Sequence, residues 1–340
     1  MAEGPFEFRS APDDRGHVHS LSERLDDPDY SRLSPADRAF LERLRGAPAL
    51  GSLSVEEERE RMRRDQLCDF DRFPVETETF QTSACPVHVI RPRGVRGAIP
   101  VTFYLHGGGW VLGDLQTHTK MVCELAVQSR RAVVFVEYPR APEQTFPKPV
   151  EACVAAIAEV LSAADSLGLS AARFALAGES SGGNLALAVV LASQQRGLAL
   201  PARLVLLYPV TDYATDSPSY RQFTDDPNLG SAAMSWFWGH YLPDATRRSD
   251  VLASPLRAER PALSGFPPTL LITCECDILR DQGESLASSL IQAGVEVTAV
   301  RWLGVLHNFL ITEFLSNSSS AARCMEFIAQ YCRNIEGATL

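Results

Sequence analysis

A serine stands between an apolar run and a helical pattern at residues 173–186, and this stretch limits the fold more than any other. The run at 174–177 predicts a buried strand, and a small-residue pattern typical of a helix follows the serine at once. Between them, Gly-Glu-Ser-Ser-Gly at 178–182 forms a Gly-x-Ser-x-Gly motif in a strand–turn–helix setting. A sharp turn holds the Ser180 hydroxyl away from the backbone, and glycines leave room for that turn. Such motifs also occur by chance, so further motifs elsewhere in the chain are needed to show whether Ser180 is a nucleophile or an incidental serine.

Apolar, β-prone runs alternate with helical patterns along most of the 340-residue chain. This alternation predicts a mainly parallel sheet with helices on both faces. Ligands bind at the carboxyl ends of the strands in such sheets, so functional residues should follow strands. We predict strands at 75–80, 87–91, 100–105, 132–138, around Phe174, and at 204–208, 269–274 and 295–302, with helices at 121–129, 147–164, 181–195, 282–293 and 319–332.

The N-terminal residues 1–70 are rich in Arg, Asp and Glu and poor in β-prone residues. Ser34, followed by a proline, predicts the start of a first helix. Ser54 and Glu57 form a capping box that opens a second, strongly charged helix through about Asp65. These helices form either a solvated edge of the domain or part of a lid over a pocket, and composition does not separate the two.

The segment 212–256 interrupts the alternation of strands and helices and is unusually rich in aromatic residues. As a group these side chains suit a mobile apolar wall over a ligand pocket, although each one alone is more often a packing residue. The side chains that we expect to line such a pocket are Trp110, Tyr213, Trp236 and Phe237.

Three consecutive glycines follow the third predicted strand, in the sequence His-Gly-Gly-Gly-Trp at 106–110. Without side chains, their backbone N–H groups can converge on one point and stabilise an oxyanion. Gly107, Gly108 and Gly109 are therefore candidate oxyanion donors, together with the N–H of Ser181. A phosphate-binding loop is the alternative, but the Gly-Lys-Ser/Thr ending and the G-x-G-x-x-G spacing are both absent.

An acid and a histidine follow two later strands. Asp277 comes just after the seventh strand and can orient an imidazole, whereas Asp281 is expected to cap the next helix and Glu275 to make a structural contact. Of the seven histidines, only His307 follows the final strand and comes after the acid. The order Ser180, Asp277, His307 is that of α/β hydrolases and differs from the orders in chymotrypsin and subtilisin.

Charge and composition exclude several classes of partner. The net charge is −10 and no basic run occurs, so we expect neither nucleic-acid binding nor attachment to an acidic membrane surface. No apolar stretch approaches the roughly 20 residues of a membrane span, and residues 1–14 lack the pattern of a secretory signal. The eight cysteines are scattered, which predicts buried free thiols in a reducing cytoplasm and no zinc site.

Across residues 103–309 the chain resembles the hormone-sensitive lipase-like family of α/β hydrolases, which includes acetyl esterases and carboxylesterases. The resemblance rests on the glycine loop, the serine motif, the elements around Asp277 and His307, and shorter motifs at 141–143, 208–209 and 254–256. It implies an α/β-hydrolase fold with a mostly parallel eight-stranded sheet, helices on both faces and a helical cap. The implied cap comprises the helices of residues 1–70 and an insertion at 212–256 within a catalytic domain at 71–340.

The same resemblance implies a carboxylesterase that needs no metal or cofactor, acts on small to medium acyl esters, and favours Gly108 and Gly109 as donors. Relatives often form homodimers. The chain departs from the family in having Glu179 where Asp is frequent and Asn308 where Gly is usual. Two alternatives stay open: a ligand receptor on the same fold, similar to the plant gibberellin receptors, and a tailoring esterase or amidase specific to one metabolite.

Overall fold

An eight-stranded sheet crosses the centre of the protein in the computed structural model, which describes residues 30–334. In chain order the strands are β1 (Val75–Gln81), β2 (Pro86–Pro92), β3 (Ile99–Leu105), β4 (Ala132–Val136), β5 (Leu169–Glu179), β6 (Arg203–Leu207), β7 (Thr269–Cys276) and β8 (Val297–Leu306). Their order across the sheet is β1-β2-β4-β3-β5-β6-β7-β8. Strand β2 is antiparallel to both of its neighbours, and the pairs from β4 to β8 are parallel. The predicted mainly parallel sheet of eight strands is confirmed.

Two of the expectations concern residues at the N-terminus that lie outside this description. The prediction for residues 1–14 falls wholly outside it, and the predicted segment 1–70 is described only from residue 30 onward. Within residues 30–334, no helix is both long enough and apolar enough to cross a membrane.

Helices cover the sheet and begin where the local sequence supplies caps. Ser34 caps the first helix by accepting the N–H of Asp37, and Ser54 and Glu57 form the predicted capping box of the second. The helices are α1 (Pro35–Arg45), α2 (Val55–Gln66), α3 (Leu115–Ser129), α4 (Lys148–Ser162), α5 (Ser181–Arg196), α6 (Pro218–Gln222), α7 (Ser231–Tyr241), α8 (Arg260–Leu263), α9 (Arg280–Gln292), α10 (Glu313–Ser316) and α11 (Ser319–Arg333).

Burial along the strands explains why the central ones are nearly continuous apolar runs. Every residue of β4 and β7 is buried, as expected for parallel strands that helices cover on both faces. In the edge strand β1 only Val75 is fully buried, and its polar residues face solvent. All eight cysteines are free and buried, so the expected free thiols are confirmed.

Strand β8 is longer at its carboxyl end than the sequence predicts. It runs to Leu306, where the prediction ended at residue 302, because two acidic side chains bind its backbone. Glu275 Oε2 accepts the N–H of Gly304 at 2.8 Å, and Asp37 Oδ1 accepts the N–H of Leu306 at 2.9 Å. The expectation that Glu275 makes a structural contact is confirmed.

The expectation for Asp281 is wrong. Helix α9 begins without a side-chain cap, and Asp281 lies inside its first turn. Its Oδ2 instead accepts the N–H of Ser219, at the start of α6, at 2.7 Å. The reason is tertiary: α6 arrives from the segment between β6 and β7 and supplies a partner that the local sequence does not reveal.

Helices α6, α7 and α8 all lie between β6 and β7, and this segment meets the N-terminal helices. Trp236 packs against Gly51, where an added Cβ would lie 2.8 Å from the indole Cγ. The hydroxyl of Tyr30 donates to Asp226 Oδ2 at 2.5 Å. These two contacts join the segment between β6 and β7 to the chain around Tyr30 and Gly51.

Candidate active site

The backbone at Ser180 is strained in the way that the sequence motif predicts. Ser180 has φ 53° and ψ −119°, a region that residues with a side chain rarely adopt. The neighbouring strand holds it there, because its N–H donates to the carbonyl of Leu207 at 2.9 Å and its carbonyl accepts the N–H of Val210 at 3.0 Å. The hydroxyl thus lies at the carboxyl end of β5, the end at which ligands bind in sheets of this kind.

The two glycines of the motif are required for space. A Cβ on Gly182 would lie 2.0 Å from the carbonyl oxygen of Leu105, and one on Gly178 would lie 2.3 Å from that of Gly182. Such distances are far inside van der Waals contact, so any side chain would push α5 away from β3. The turn therefore depends on close backbone approach, as the sequence suggested.

Three side chains from distant parts of the chain meet at this turn. Nε2 of His307 lies 3.0 Å from Oγ of Ser180, and Nδ1 lies 2.7 Å from Oδ2 of Asp277. The other oxygen of Asp277 accepts the N–H of Leu279 at 2.8 Å, which holds the carboxylate in place. All three residues are buried, so water competes little for these hydrogen bonds.

The backbone on both sides of His307 is held by groups that sequence reasoning missed. Asp37 accepts the N–H of Leu306, and the side-chain amide of Asn228 donates to the carbonyl of His307 at 3.0 Å. Burial raises the pKa of Asp37, although hydrogen bonds to its carboxylate oppose that effect. Asn308 has φ 63°, a left-handed conformation that Asn tolerates better than most residues with a side chain.

The glycine loop turns through successive left-handed conformations. Gly108, Gly109 and Trp110 have φ 103°, 61° and 61°. Within residues 30–334, the N–H groups of Gly108, Gly109 and Ser181 donate to no other group. They are therefore free to bind an oxyanion.

Gly107 differs from the other two loop glycines. Its N–H donates to the carboxylate of Glu179, so it is occupied and differs from the free donors expected of the loop. The hydroxyl of Ser181 also has a partner that was not anticipated, the N–H of Trp110 at 3.1 Å. Side chains on both sides of Ser180 thus tie the glycine loop to the turn.

The four aromatic residues expected to line a pocket occupy different positions. Phe237 lies against Gly109, with its Cδ1 2.0 Å from the point where a Cβ would be. Trp110 is fully buried and stacks on Tyr241 at a centroid distance of 4.1 Å, so it supports the loop and lines no open pocket. Trp236 packs on Gly51, and the ring of Tyr213 lies 4.5 Å from the guanidinium of Arg257.

A buried arginine from α2 holds the outer side of the loop, and nothing in the local sequence signals this role. Arg59 donates to the carbonyls of Val111 and Ala141 at 2.9 and 3.0 Å, and to both carboxylate oxygens of Glu143 at 2.7 and 2.8 Å. The hydrogen bonds from Arg59 lower the pKa of Glu143 to about 2. The N-terminal helices are therefore bonded directly to the site.

The arrangement has the parts required for acyl transfer. A hydroxyl lies beside an imidazole, a carboxylate is hydrogen-bonded to that imidazole, and three N–H groups of the glycine loop and the turn have no partner within residues 30–334. No group of three or more His, Cys, Asp or Glu side chains in residues 30–334 could hold a metal ion.

Comparison with known proteins adds an independent result. A family model described as the alpha/beta hydrolase fold matches residues 102–311. An ethyl acetate hydrolase from Pseudomonas putida is 36% identical over 230 residues, covering 66% of this chain and 71% of that protein. The carboxylic ester hydrolase LipN of Mycobacterium tuberculosis is 36% identical over 251 residues, covering 72% of this chain and 65% of that protein.

Solved structures agree with these sequence relatives. A thermostable esterase from Pseudomonas putida has a TM-score of 0.85 at 36% identity, covering 89% of this chain and 97% of that chain. Carboxyl esterase 2 from Tuber melanosporum has a TM-score of 0.84 at 29% identity, covering 89% of this chain and 99% of that chain. Both similarities extend well beyond the region that the family model matches.

Proposed function

Because the chain belongs to the α/β-hydrolase fold family and is a carboxylesterase, we propose that it hydrolyses small to medium acyl esters through an acyl-enzyme formed on Ser180. His307 acts as the general base and acid, and Asp277 orients its ring. The observation that carries this proposal is the continuous hydrogen-bonded chain from Oγ of Ser180 through His307 to Asp277, at 3.0 and 2.7 Å.

In the first half of the reaction, Oγ of Ser180 bonds to the ester carbonyl carbon while its proton passes to Nε2 of His307. The carbonyl electron pair moves onto oxygen, and the N–H groups of Gly108, Gly109 and Ser181 stabilise that oxyanion. When the oxyanion collapses, the bond to the alcohol oxygen breaks. The proton on Nε2 goes to this oxygen, so the alcohol leaves neutral.

In the second half, water takes the place of the alcohol. It gives a proton to Nε2 of His307 and bonds to the acyl carbon, which forms a second oxyanion in the same place. Collapse then breaks the bond to Oγ of Ser180, which recovers the proton from His307. Asp277 stabilises the imidazolium in both halves and stays ionised throughout. The products are a carboxylic acid, the alcohol and the original enzyme.

We assign a cap to residues 1–70, which the structure describes from residue 30 onward, and to residues 212–256, over a catalytic domain at 71–340. We infer that this cap limits the size of the acyl group. Phe237 of this cap touches Gly109 and therefore restricts the space above the oxyanion donors. The name of the Pseudomonas putida relative, ethyl acetate hydrolase, also points to a short ester. On p-nitrophenyl esters from acetate to dodecanoate, kcat/KM should peak at short or medium chains and fall before dodecanoate. A maximum at dodecanoate would contradict this assignment.

Replacement of the nucleophile tests the mechanism. Ser180→Ala should lower kcat by about 10⁶, as expected when a triad nucleophile is removed. Ser181→Ala is the matched control: it keeps the backbone N–H and loses one hydrogen bond, so its loss should not exceed about tenfold. Near-native turnover by Ser180→Ala would refute the assignment. A stoichiometric burst without turnover in the unmodified protein would favour the receptor alternative.

A further inference from the structure

A buried acidic side chain lies directly under the glycine loop and takes no part in the steps above. Glu179 is completely buried, and its Oε1 accepts the N–H of Gly107. A Cβ added to Gly107 would lie 2.7 Å from the same oxygen, so the carboxyl group and the loop are in direct contact. Burying a carboxylate is costly unless a partner compensates its charge. The partner therefore decides what this residue can do.

That partner is His118, in the first turn of α3. Its Nε2 lies 2.8 Å from Oε1 of Glu179, and its Nδ1 lies 3.0 Å from the carbonyl oxygen of Asp114 and 2.8 Å from the hydroxyl oxygen of Thr117. The Thr117 hydroxyl donates to the same carbonyl at 2.8 Å, so its oxygen is left to accept at Nδ1. With acceptors at both nitrogens, the ring is satisfied best as an imidazolium, which donates from both. Burial lowers the pKa of His118, but the charge and hydrogen bond of Glu179 outweigh burial and raise it above its usual value.

A second histidine beside this pair stays neutral. The rings of His106 and His118 are 5.4 Å apart, and Nδ1 of His106 lies 2.8 Å from the carbonyl oxygen of Gly107. Burial, and then repulsion by His118, hold the pKa of His106 well below its usual value. Of the two histidines beneath the loop, His118 is therefore the one that can pair with Glu179.

We propose that Glu179 and His118 form an ion pair that positions the oxyanion donors relative to the nucleophile. Glu179 precedes Ser180 in the turn and binds Gly107, the residue that leads into Gly108 and Gly109. One side chain thus connects the donor loop to the nucleophile. Glu179 is a positioning residue, because it acts through the loop. The inference rests on the proposed function and adds a role for two residues outside the triad.

The charge of the pair matters as well as its geometry. The loop must stabilise negative charge in the transition state, and an uncompensated carboxylate beside it would oppose that charge. His118 removes the conflict by neutralising Glu179. Removing His118 alone should therefore harm catalysis more than removing both charges together, whereas a merely structural contact would give losses that accumulate.

The test uses the full-length enzyme and p-nitrophenyl acetate. Glu179→Ala should lower kcat by about a hundredfold with little change in KM, since a displacement of about 1 Å in a catalytic group costs that much. A trifluoromethyl ketone, which mimics the tetrahedral intermediate, should bind more weakly by a similar factor. Glu179→Gln keeps an acceptor for Gly107 and should recover part of kcat. Glu284→Gln, which removes a hydrogen-bonded carboxylate that contacts Arg301 and Thr273, is the control and should leave kcat unchanged.

A double-mutant cycle that removes one charge and then both charges tests the inference even if Glu179→Ala does not fold. His118→Gln should lower kcat by about tenfold, and adding Glu179→Gln to it should restore activity. Active-site titration with a p-nitrophenyl phosphate diester corrects each value for folded protein. Losses that simply multiply in the double variant, or a loss of kcat without weaker ketone binding, would overturn the inference. Ser180→Ala is measured in the same series. If it is inactive while the predictions for Glu179 and His118 fail, the ion-pair inference is wrong and the proposed mechanism still stands.

Discussion

A methyl group at Gly109 tests how Phe237 packs on the glycine loop. The Cβ of Gly109→Ala would lie 2.0 Å from Cδ1 of Phe237, where ordinary contact begins at 3.4 Å. Loop and ring must therefore part by about 1.4 Å. Since a misplacement of about 1 Å in a catalytic group can cost a hundredfold, we expect kcat/KM to fall by about that factor.

The clash can be separated from backbone strain by a double-mutant cycle. Phe237→Ala removes the ring atoms that the new methyl group would meet, so Gly109→Ala in that background keeps only the strain of φ +61°. This strain costs about 1–2 kcal/mol, which corresponds to roughly a tenfold effect. Steady-state kinetics on p-nitrophenyl acetate give kcat/KM for all four proteins, and thermal unfolding shows whether each one is folded.

Gly168→Ala provides the matched control for strain. Gly168 has φ +63°, and no atom lies within 4 Å of its added Cβ. This variant should lose some stability and keep its kcat/KM, because Gly168 is remote from the site. If Gly109→Ala costs the same factor with and without the Phe237 ring, the ring does not lie on the loop during turnover, and the steric reasoning is refuted.

Two further substitutions test the supports of the site. Glu143→Gln should destabilise the fold by about 1 kcal/mol or less, because Glu143 is largely exposed. Its pKa of about 2 is below the ordinary 4.5, so its contribution exists above pH 4.5 and disappears as the pH falls towards 2. Urea unfolding should therefore give a smaller difference from the parent protein at pH 3 than at pH 6, and an unchanged difference would contradict the ion pair. Asn308→Gly should keep activity at φ 63°, whereas Asn308→Val should lose about 1–2 kcal/mol of unfolding free energy and part of kcat; equal behaviour of the two would exclude strain as the cause.

Local chemical signals account for what could be predicted from the sequence. Apolar runs marked the strands, caps marked the first two helices, and a glycine-rich turn marked the position of Ser180. The order of Ser180, Asp277 and His307 added long-range information, because residues that follow neighbouring parallel strands must meet at one edge of the sheet. The fold and the family are therefore determined by the chain's own pattern.

The tertiary structure alone decided how these parts are held. Glu179 meets a histidine 61 residues earlier, and the strand end before His307 is bound by an acid 269 residues away from Leu306. Periodicity and turn chemistry describe neighbours along the chain, whereas these contacts depend on how separate helices dock on the sheet. For the same reason the sequence does not distinguish Gly107 from Gly108, although the N–H of Gly107 donates to Glu179 in the structure. Only packing shows that one amide holds the loop in place while the next is free to bind an oxyanion.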